Sequence, residues 1–173
     1  VFTYTVSDGN DGTDTATITI TILGVDDDPA GVNDTGAVNE DKTLTVSTGN
    51  GVLSNDTDAD DNSSLTVSAI SGGTVGQALI GTYGTLTLNS NGSYSYVANT
   101  NGADGLAASA TATDTFTYTV SDGAGTTDTA TLTVTVTGVG PQAVNDTGAV
   151  NENATLTVNS GSGAISNDDD NAS

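Results

Sequence analysis

The chain has 173 residues and a formal charge of −21, from 22 acidic side chains against one base, Lys42, with no His and no Cys. That balance leaves no basic face for phosphate backbones or anionic lipid headgroups, which excludes nucleic acid and membrane surfaces as partners. Without His, Cys or Arg there is no triad, thiolate or guanidinium clamp, and without Trp no sugar platform beside a carboxylate pair, so nothing here reads as an enzyme.

Val, Ile, Leu and Phe make up about a fifth of the residues, a share at which a highly charged chain borders on disorder. Periodicity argues the opposite. A folded chain of this charge needs something to offset its self-repulsion, and divalent cations are the obvious candidate. No disulfide can staple it, and no apolar run approaches the roughly 20 residues of a membrane span.

Residues 2–8 read Phe-Thr-Tyr-Thr-Val-Ser-Asp, and the same string returns at 116–122, 114 residues later. Asn33-Asp-Thr-Gly-Ala-Val-Asn-Glu40 returns at 145–152, 112 residues later. The two-residue difference falls in the connector, where Gly24-Val-Asp-Asp-Asp-Pro-Ala-Gly-Val32 is matched by the shorter Gly138-Val-Gly-Pro-Gln-Ala-Val144. A period near 110 residues suits whole domains strung as beads rather than solenoid units. The expected organisation is the last hairpin of a module with its linker over 1–27, a complete module over 28–139, and the first strands of another over 140–173.

Within the complete module a first strand is expected at about 31–38 and a second at about 43–54, carrying Leu44 and Val46. Leu65 and Val67 mark another. Leu86 and Leu88, then Asn91-Gly92, then Tyr94 and Tyr96 describe a hairpin, Asn-Gly being a strong two-residue turn signal. Residues 103–109 read as a short helical turn. Phe116, Tyr118 and Val120 then alternate with Thr, the Ser121–Gly125 cluster turns the chain, and Ala130, Leu132, Val134 and Val136 continue the period of two. Thr suits the outward positions because its β-branched body fits the pleat while its hydroxyl stays wet. About seven strands in a module of this length, joined by Gly, Asn and Asp turns, predict an all-β, immunoglobulin-like β-sandwich, with a closed barrel as the lesser alternative.

Asp114-Thr-Phe-Thr-Tyr-Thr-Val-Ser-Asp-Gly123, then Thr127-Asp-Thr-Ala-Thr-Leu-Thr-Val-Thr-Val-Thr-Gly138, then Ala143-Val-Asn-Asp146, resembles the VCBS or cadherin-like tandem repeats of giant bacterial surface proteins. The resemblance spans the whole chain. It implies cadherin-like sandwich modules in RTX-type adhesins, biofilm proteins and related filaments, located outside the cell at the bacterial surface and stiffened by calcium. The Gly-Gly-x-Gly-x-Asp nonapeptides of an RTX secretion region are not in this sequence.

Threading the strands gives the acids positions. One end of the sandwich should gather Asp58, Asp60, Asp122 and the linker acids Asp26, Asp27 and Asp28; the other should gather Glu40 and Asp114. Asp-x-Asp spacing on a loop supplies the hard oxygens that calcium takes six to eight at a time. It is not an EF-hand, since Asp56-x-Asp58-x-Asp60-Asp61 lacks the Gly and the closing Glu. Thr57-Asp-Ala-Asp60 resembles the cadherin Asp-x-Asp element, Val25-Asp-Asp-Asp-Pro29 its linker, and Glu40 the acid on its early strand. Carried over, that pattern implies one calcium junction before the module with Asp27, Asp28, Asp58 and Asp60, and one after it with Glu40, Asp114, Asp168 and Asp170. The second linker departs from the pattern, because Gly140-Pro141-Gln142 offers no carboxylate. The competing interpretation is that these acids are solvated turn residues.

Three functions fit, in descending order. The first is a structural extender that projects a distal binding region. The second is a calcium-dependent carbohydrate- or ligand-binding module. The third is a strand-donating subunit of a filament. The expected partners are neighbouring repeats of the same chain or fibre. The partial modules at 1–27 and 140–173 cannot bury their apolar faces alone, since an isolated hairpin is marginal in water. Covering by a continuous array is favoured over strands from a neighbouring subunit.

Overall fold

A computed structural model describes residues 1–60, 64–141 and 145–158. Ten strands are present among the described residues: β1 (Phe2–Ser7), β2 (Thr13–Ile18), β3 (Asp34–Asn39), β4 (Thr43–Val46), β5 (Thr66–Ile70), β6 (Ala78–Ile80), β7 (Thr85–Leu88), β8 (Tyr94–Val97), β9 (Thr111–Ser121) and β10 (Thr127–Thr137). A single helical turn, α1 (Asn101–Asp104), separates β8 from β9.

Strands β3 to β10 form two four-stranded sheets, ordered β3-β10-β9-β5 and β4-β8-β7-β6. β3 runs parallel to β10, and the remaining pairs are antiparallel. The β-sandwich is therefore all-β as expected, with eight strands rather than about seven. The additional strand is β6, only Ala-Leu-Ile, too short for its alternation to be legible. The strand expected over 43–54 stops at Val46, and a 3-10 turn follows at Thr48–Asn50. Gly51, just past that turn, lies against the facing turn, where a Cβ would collide with the Gly92 carbonyl. The helical turn forms earlier than 103–109, at Asn101–Asp104.

Inward positions follow the period of two. Phe116, Tyr118, Val120, Leu132, Val134 and Val136 on one sheet face Leu86, Leu88, Tyr94 and Tyr96 on the other. Tyr96 and Phe116 meet edge to face across the layers, ring centroids 6.2 Å apart, a geometry worth about 0.5–1.5 kcal/mol beyond burial. The sheets approach closely at Gly36, where a Cβ would stand 2.8 Å from Leu44 Cδ2 and 3.0 Å from the Tyr94 hydroxyl.

The flanking segments repeat pieces of this module. β1 pairs with β2 through Phe2↔Ile18, Tyr4↔Ala16 and Val6↔Asp14, and β9 with β10 through Phe116↔Leu132, Tyr118↔Ala130 and Val120↔Asp128. Residues 145–158 repeat the corner between β3 and β4. Ala154 N–H donates to the Asn151 carbonyl as Lys42 N–H does to Asn39, and Asn153 takes the left-handed conformation of Asp41 (φ 59° in both). The cover differs. Phe2, Tyr4, Val6, Ile18, Ile20 and Ile22 are all exposed, as are Val150, Leu156 and Val158.

Candidate functional site

The loop after the 3-10 turn carries three acids to one end of the sandwich, and each finds donors nearby. Asp56 Oδ1 accepts from Val32 N–H at 2.7 Å, Asp58 Oδ1 from Asp60 N–H at 2.8 Å, and Asp60 Oδ2 from Asp27 N–H at 2.8 Å. The last of these ties the linker to the module. A bridge between Ala30 and Thr57 and the burial of Pro29 fix the same segment. At the β9–β10 turn, Asp122 Oδ1 accepts from Ala124, Gly125 and Thr126 N–H, and Oδ2 accepts from the Thr126 hydroxyl at 2.6 Å.

These acids share one electrostatic neighbourhood. Asp26 is exposed, yet its carboxyl is pushed above the usual range, first by desolvation and then by the charges of Asp122, Asp60, Asp58 and Asp28. Asp122 is held below the usual range, first by the Thr126 hydroxyl and then by the turn N–H groups. The structure thus brings Asp26, Asp28, Asp58, Asp60 and Asp122 together, with Asp27 attached through its backbone.

A second acidic group lies beside the first, where the linker enters β3. Burial raises the Asp34 carboxyl, against the lowering effect of the Tyr118 hydroxyl 2.7 Å away, and Asp56 raises it further. Asp56 is raised by burial and by Asp128. Asp128 is lowered, chiefly by Gly31 N–H at 2.9 Å. Burial drives the Tyr118 phenol up, as do Asp34 and Asp56.

At the opposite end, Glu40 is only 2% exposed, and its Oε1 accepts from Val139 N–H at 2.6 Å. Asp114 is 6% exposed and serves the core. Its Oδ1 accepts from Thr82 N–H, and its Oδ2 from Tyr83 N–H and from the Tyr96 hydroxyl at 2.7 Å. Three donors therefore occupy the carboxylate that was expected beside Glu40, and they tie β9 to the opposite sheet. Asp104, which sequence reasoning passed over, lies at this end on α1. The only sequence signal for it is an acid following Asn-Gly in the stretch read as a helical turn. Asp168 and Asp170 lie outside the described residues.

Among the described residues, four carboxylate oxygens are buried with no hydrogen-bond donor: Glu40 Oε2, Asp56 Oδ2, Asp58 Oδ2 and Asp104 Oδ1. Orphaned buried anionic oxygens are costly unless something positive meets them. The donors are all hard oxygens, which fits calcium better than softer metals. Among the described residues, no three or more His, Cys, Asp or Glu side chains are arranged so that they could hold a metal ion. Like charges settle on backbone N–H groups instead, as Asp58, Asp60 and Asp122 do.

The family model described as a bacterial cadherin-like domain matches residues 26–138. The chain belongs to that family. The match covers the linker acids, both sheets and the exit of β10, so the cadherin-like module is the sandwich described above. Membership suggests a repeat module of bacterial surface proteins, typically structural or adhesive rather than catalytic, in a family whose domains generally bind calcium. No curated protein matches the chain. No helix among the described residues is long and apolar enough to cross a membrane.

Proposed function

We propose that this chain is a structural extender of an extracellular bacterial adhesin or surface fibre, in which calcium stiffens the junctions between cadherin-like modules. The single observation that carries it is the linker docked among the acids at one module end. Asp27 N–H is bonded to Asp60 Oδ2 while Asp26 feels the charges of Asp28, Asp58, Asp60 and Asp122. A cation there would neutralise that repulsion and fix the angle between linker and module.

Asp27, Asp28, Asp58 and Asp60 would have to draw closer together than they stand here to hold the ion, with the orphaned Asp58 Oδ2 as its most needful donor. Calcium supplies charge neutralisation and a rigid oxygen cage at such a junction. The repeated sequence supports an extender over a binder, because near-identical beads give length and stiffness rather than varied chemistry. At the far end, Glu40 Oε2 needs a positive partner, while Asp114 is already satisfied by three donors. Among the described residues the second junction therefore rests mainly on Glu40, with Asp168 and Asp170 as its other proposed ligands, and its linker, Gly140-Pro141-Gln142, adds no carboxylate.

Calcium at millimolar levels is expected to raise the melting temperature over that in chelator, since extracellular modules bind it at about 10⁻⁴–10⁻³ M. At about 1 mM calcium that range gives a gain of about 0.4–1.4 kcal/mol, and a hundredfold excess over the dissociation constant, about 10 mM at the tight end, gives about 2.7 kcal/mol. The double variant Asp58→Ala/Asp60→Ala keeps the sandwich and loses most of that gain. Identical melting curves with calcium and with chelator would refute the proposal.

A further inference from the structure

We propose that the complete module yields to tension in two stages: the strap over 27–33 lets go first, and the parallel ladder of β3 and β10 then holds in shear. The proposal rests on the extender reading, since only a module held at both ends within a longer chain bears tension.

The chain enters the sandwich at the start of β3 and leaves it at the end of β10. These two strands are neighbours and run parallel, from Leu132↔Asp34 to Thr137↔Asn39. Their loaded ends, Asp34 and Thr137, therefore lie at opposite ends of one ladder. Pulling them apart slides one strand along the other, and the evenly spaced bonds of a parallel pair take the load together. In an antiparallel pair both loaded ends would lie at the same end, and the bonds would open one after another.

The corner after β3 continues the ladder. Glu40 N–H donates to the Thr137 carbonyl at 2.9 Å, and Glu40 Oε1 accepts from Val139 N–H at 2.6 Å. Asp41 N–H donates to the Ala98 carbonyl at 2.7 Å, which anchors the corner to the end of β8 in the other sheet. On its far side β10 is paired with β9 along its whole length, and its Leu132, Val134 and Val136 are fully buried. Neither strand can slide without tearing the core.

The strap is held quite differently. Asp27 N–H donates to Asp60 Oδ2, Gly31 N–H to Asp128 Oδ2 at 2.9 Å, and Val32 N–H to Asp56 Oδ1 at 2.7 Å. Within the strap only Ala30 makes a backbone bridge, exchanging both bonds with Thr57. The other anchors are single carboxylate oxygens, and Pro29 is the only buried residue of the segment. Segments with so few buried apolar contacts open at the low end of a structure's stability range. The strap also stands between the pull and β3, so its bonds are loaded first. Peeling stops at Asn33, whose Oδ1 accepts from Thr131 N–H at 2.9 Å, one rung above the ladder. Such a junction lengthens under a sudden pull and re-docks afterwards, with the sandwich intact.

The native chain has no Cys, so introduced thiols give unique handles for optical tweezers on the full chain. Gly24→Cys with Pro141→Cys pulls β3 against β10 along the ladder. Gly24→Cys with Ala124→Cys pulls both strands from one end, because the start of β10 lies beside the strap through Asp128 and Gly31. All three positions are exposed. The first pair should show an early step no longer than the extended strap, about 2.5 nm, then an opening at higher force that frees on the order of 30 nm. The second pair should open the sandwich at lower force. Asp128→Ala removes the Gly31 anchor, and it should lower the force of the early step while leaving the large opening in place. Forced unfolding reads the unfolding barrier rather than the equilibrium stability. Equal opening forces in the two geometries, or a single opening with no early step, would therefore overturn the proposal even for a stable sandwich. Calcium should raise the force of the early step alone. A two-stage response that calcium does not move leaves the clamp standing and refutes calcium at the junction. A one-stage response with a calcium-raised melting temperature refutes only the clamp.

Discussion

Tyr118→Phe tests how the acidic entry of the module is held. Tyr118 is fully buried, and its hydroxyl lies 2.7 Å from Asp34 Oδ2 and 3.0 Å from the Val52 carbonyl. Phe keeps the ring and its packing, so the loss is one hydrogen bond to a charged acceptor, about 1.5–3 kcal/mol. For a domain of this size that lowers the melting temperature by about 10 °C. Asn55 moderates the effect, because its amide nitrogen, correctly oriented, reaches Asp34 Oδ1 and the Val52 carbonyl at 3.2 Å. The deficit should also depend on pH. The Tyr118 hydroxyl lowers the Asp34 carboxyl against the raising effect of burial. Removing it raises that carboxyl further, and the penalty then shrinks as acid protonates Asp34. The internal control is Tyr4→Phe, the equivalent position in β1, which is 46% exposed with no hydrogen-bond partner among the described residues. In dilute solution it should change stability by less than about 0.5 kcal/mol. Urea unfolding followed by far-ultraviolet circular dichroism reads both variants. Equal stabilities for Tyr118→Phe and Tyr4→Phe, or a deficit that does not change between neutral and mildly acidic pH, would refute the reasoning.

Asp114→Ala should cost more, about 3–5 kcal/mol, because it strands the Tyr96 hydroxyl and the N–H groups of Thr82 and Tyr83 at the layer interface. Asp114→Asn, which keeps one acceptor oxygen, should cost less, and urea midpoints rank the two. Stability in chelator should rise on mild acidification and then fall. Asp26, Asp34 and Asp56 have folded values raised above the ordinary 3.8. They weaken the fold at neutral pH, and that penalty is relieved as pH falls through those raised values. Asp122 and Asp128 are lowered below 3.8, so their contribution is present above that pH and is lost as pH falls through their folded values. Urea midpoints that decline steadily from neutral pH downward would contradict this balance.

The sequence alone was enough for the β-sandwich and for the repeat, because a period of two in β9 and β10 encodes which side chains turn inward without any long-range information. Parity also held the clue to Asp114. It stands in phase with Phe116, Tyr118 and Val120, so an inward carboxylate was readable there, although its partners were not. Those partners come from the β6–β7 turn and from β8 across the core, and only tertiary packing brings them to it. The same holds for the end of β4, which residues 47–54 could have continued as strand, whereas the structure turns at Thr48–Asn50 and brings Gly51 against Gly92 of the facing turn. Threading placed Asp58, Asp60 and Asp122 at one end because strand direction alternates along the chain. The structure alone decided that Asp60 holds the linker backbone, that Asp34 is paired with a buried phenol, and that Asp58 Oδ2 and Glu40 Oε2 are left without donors. Local pattern fixes which face a residue occupies, whereas hydrogen bonds between residues distant in sequence depend on how two sheets and their loops settle against each other.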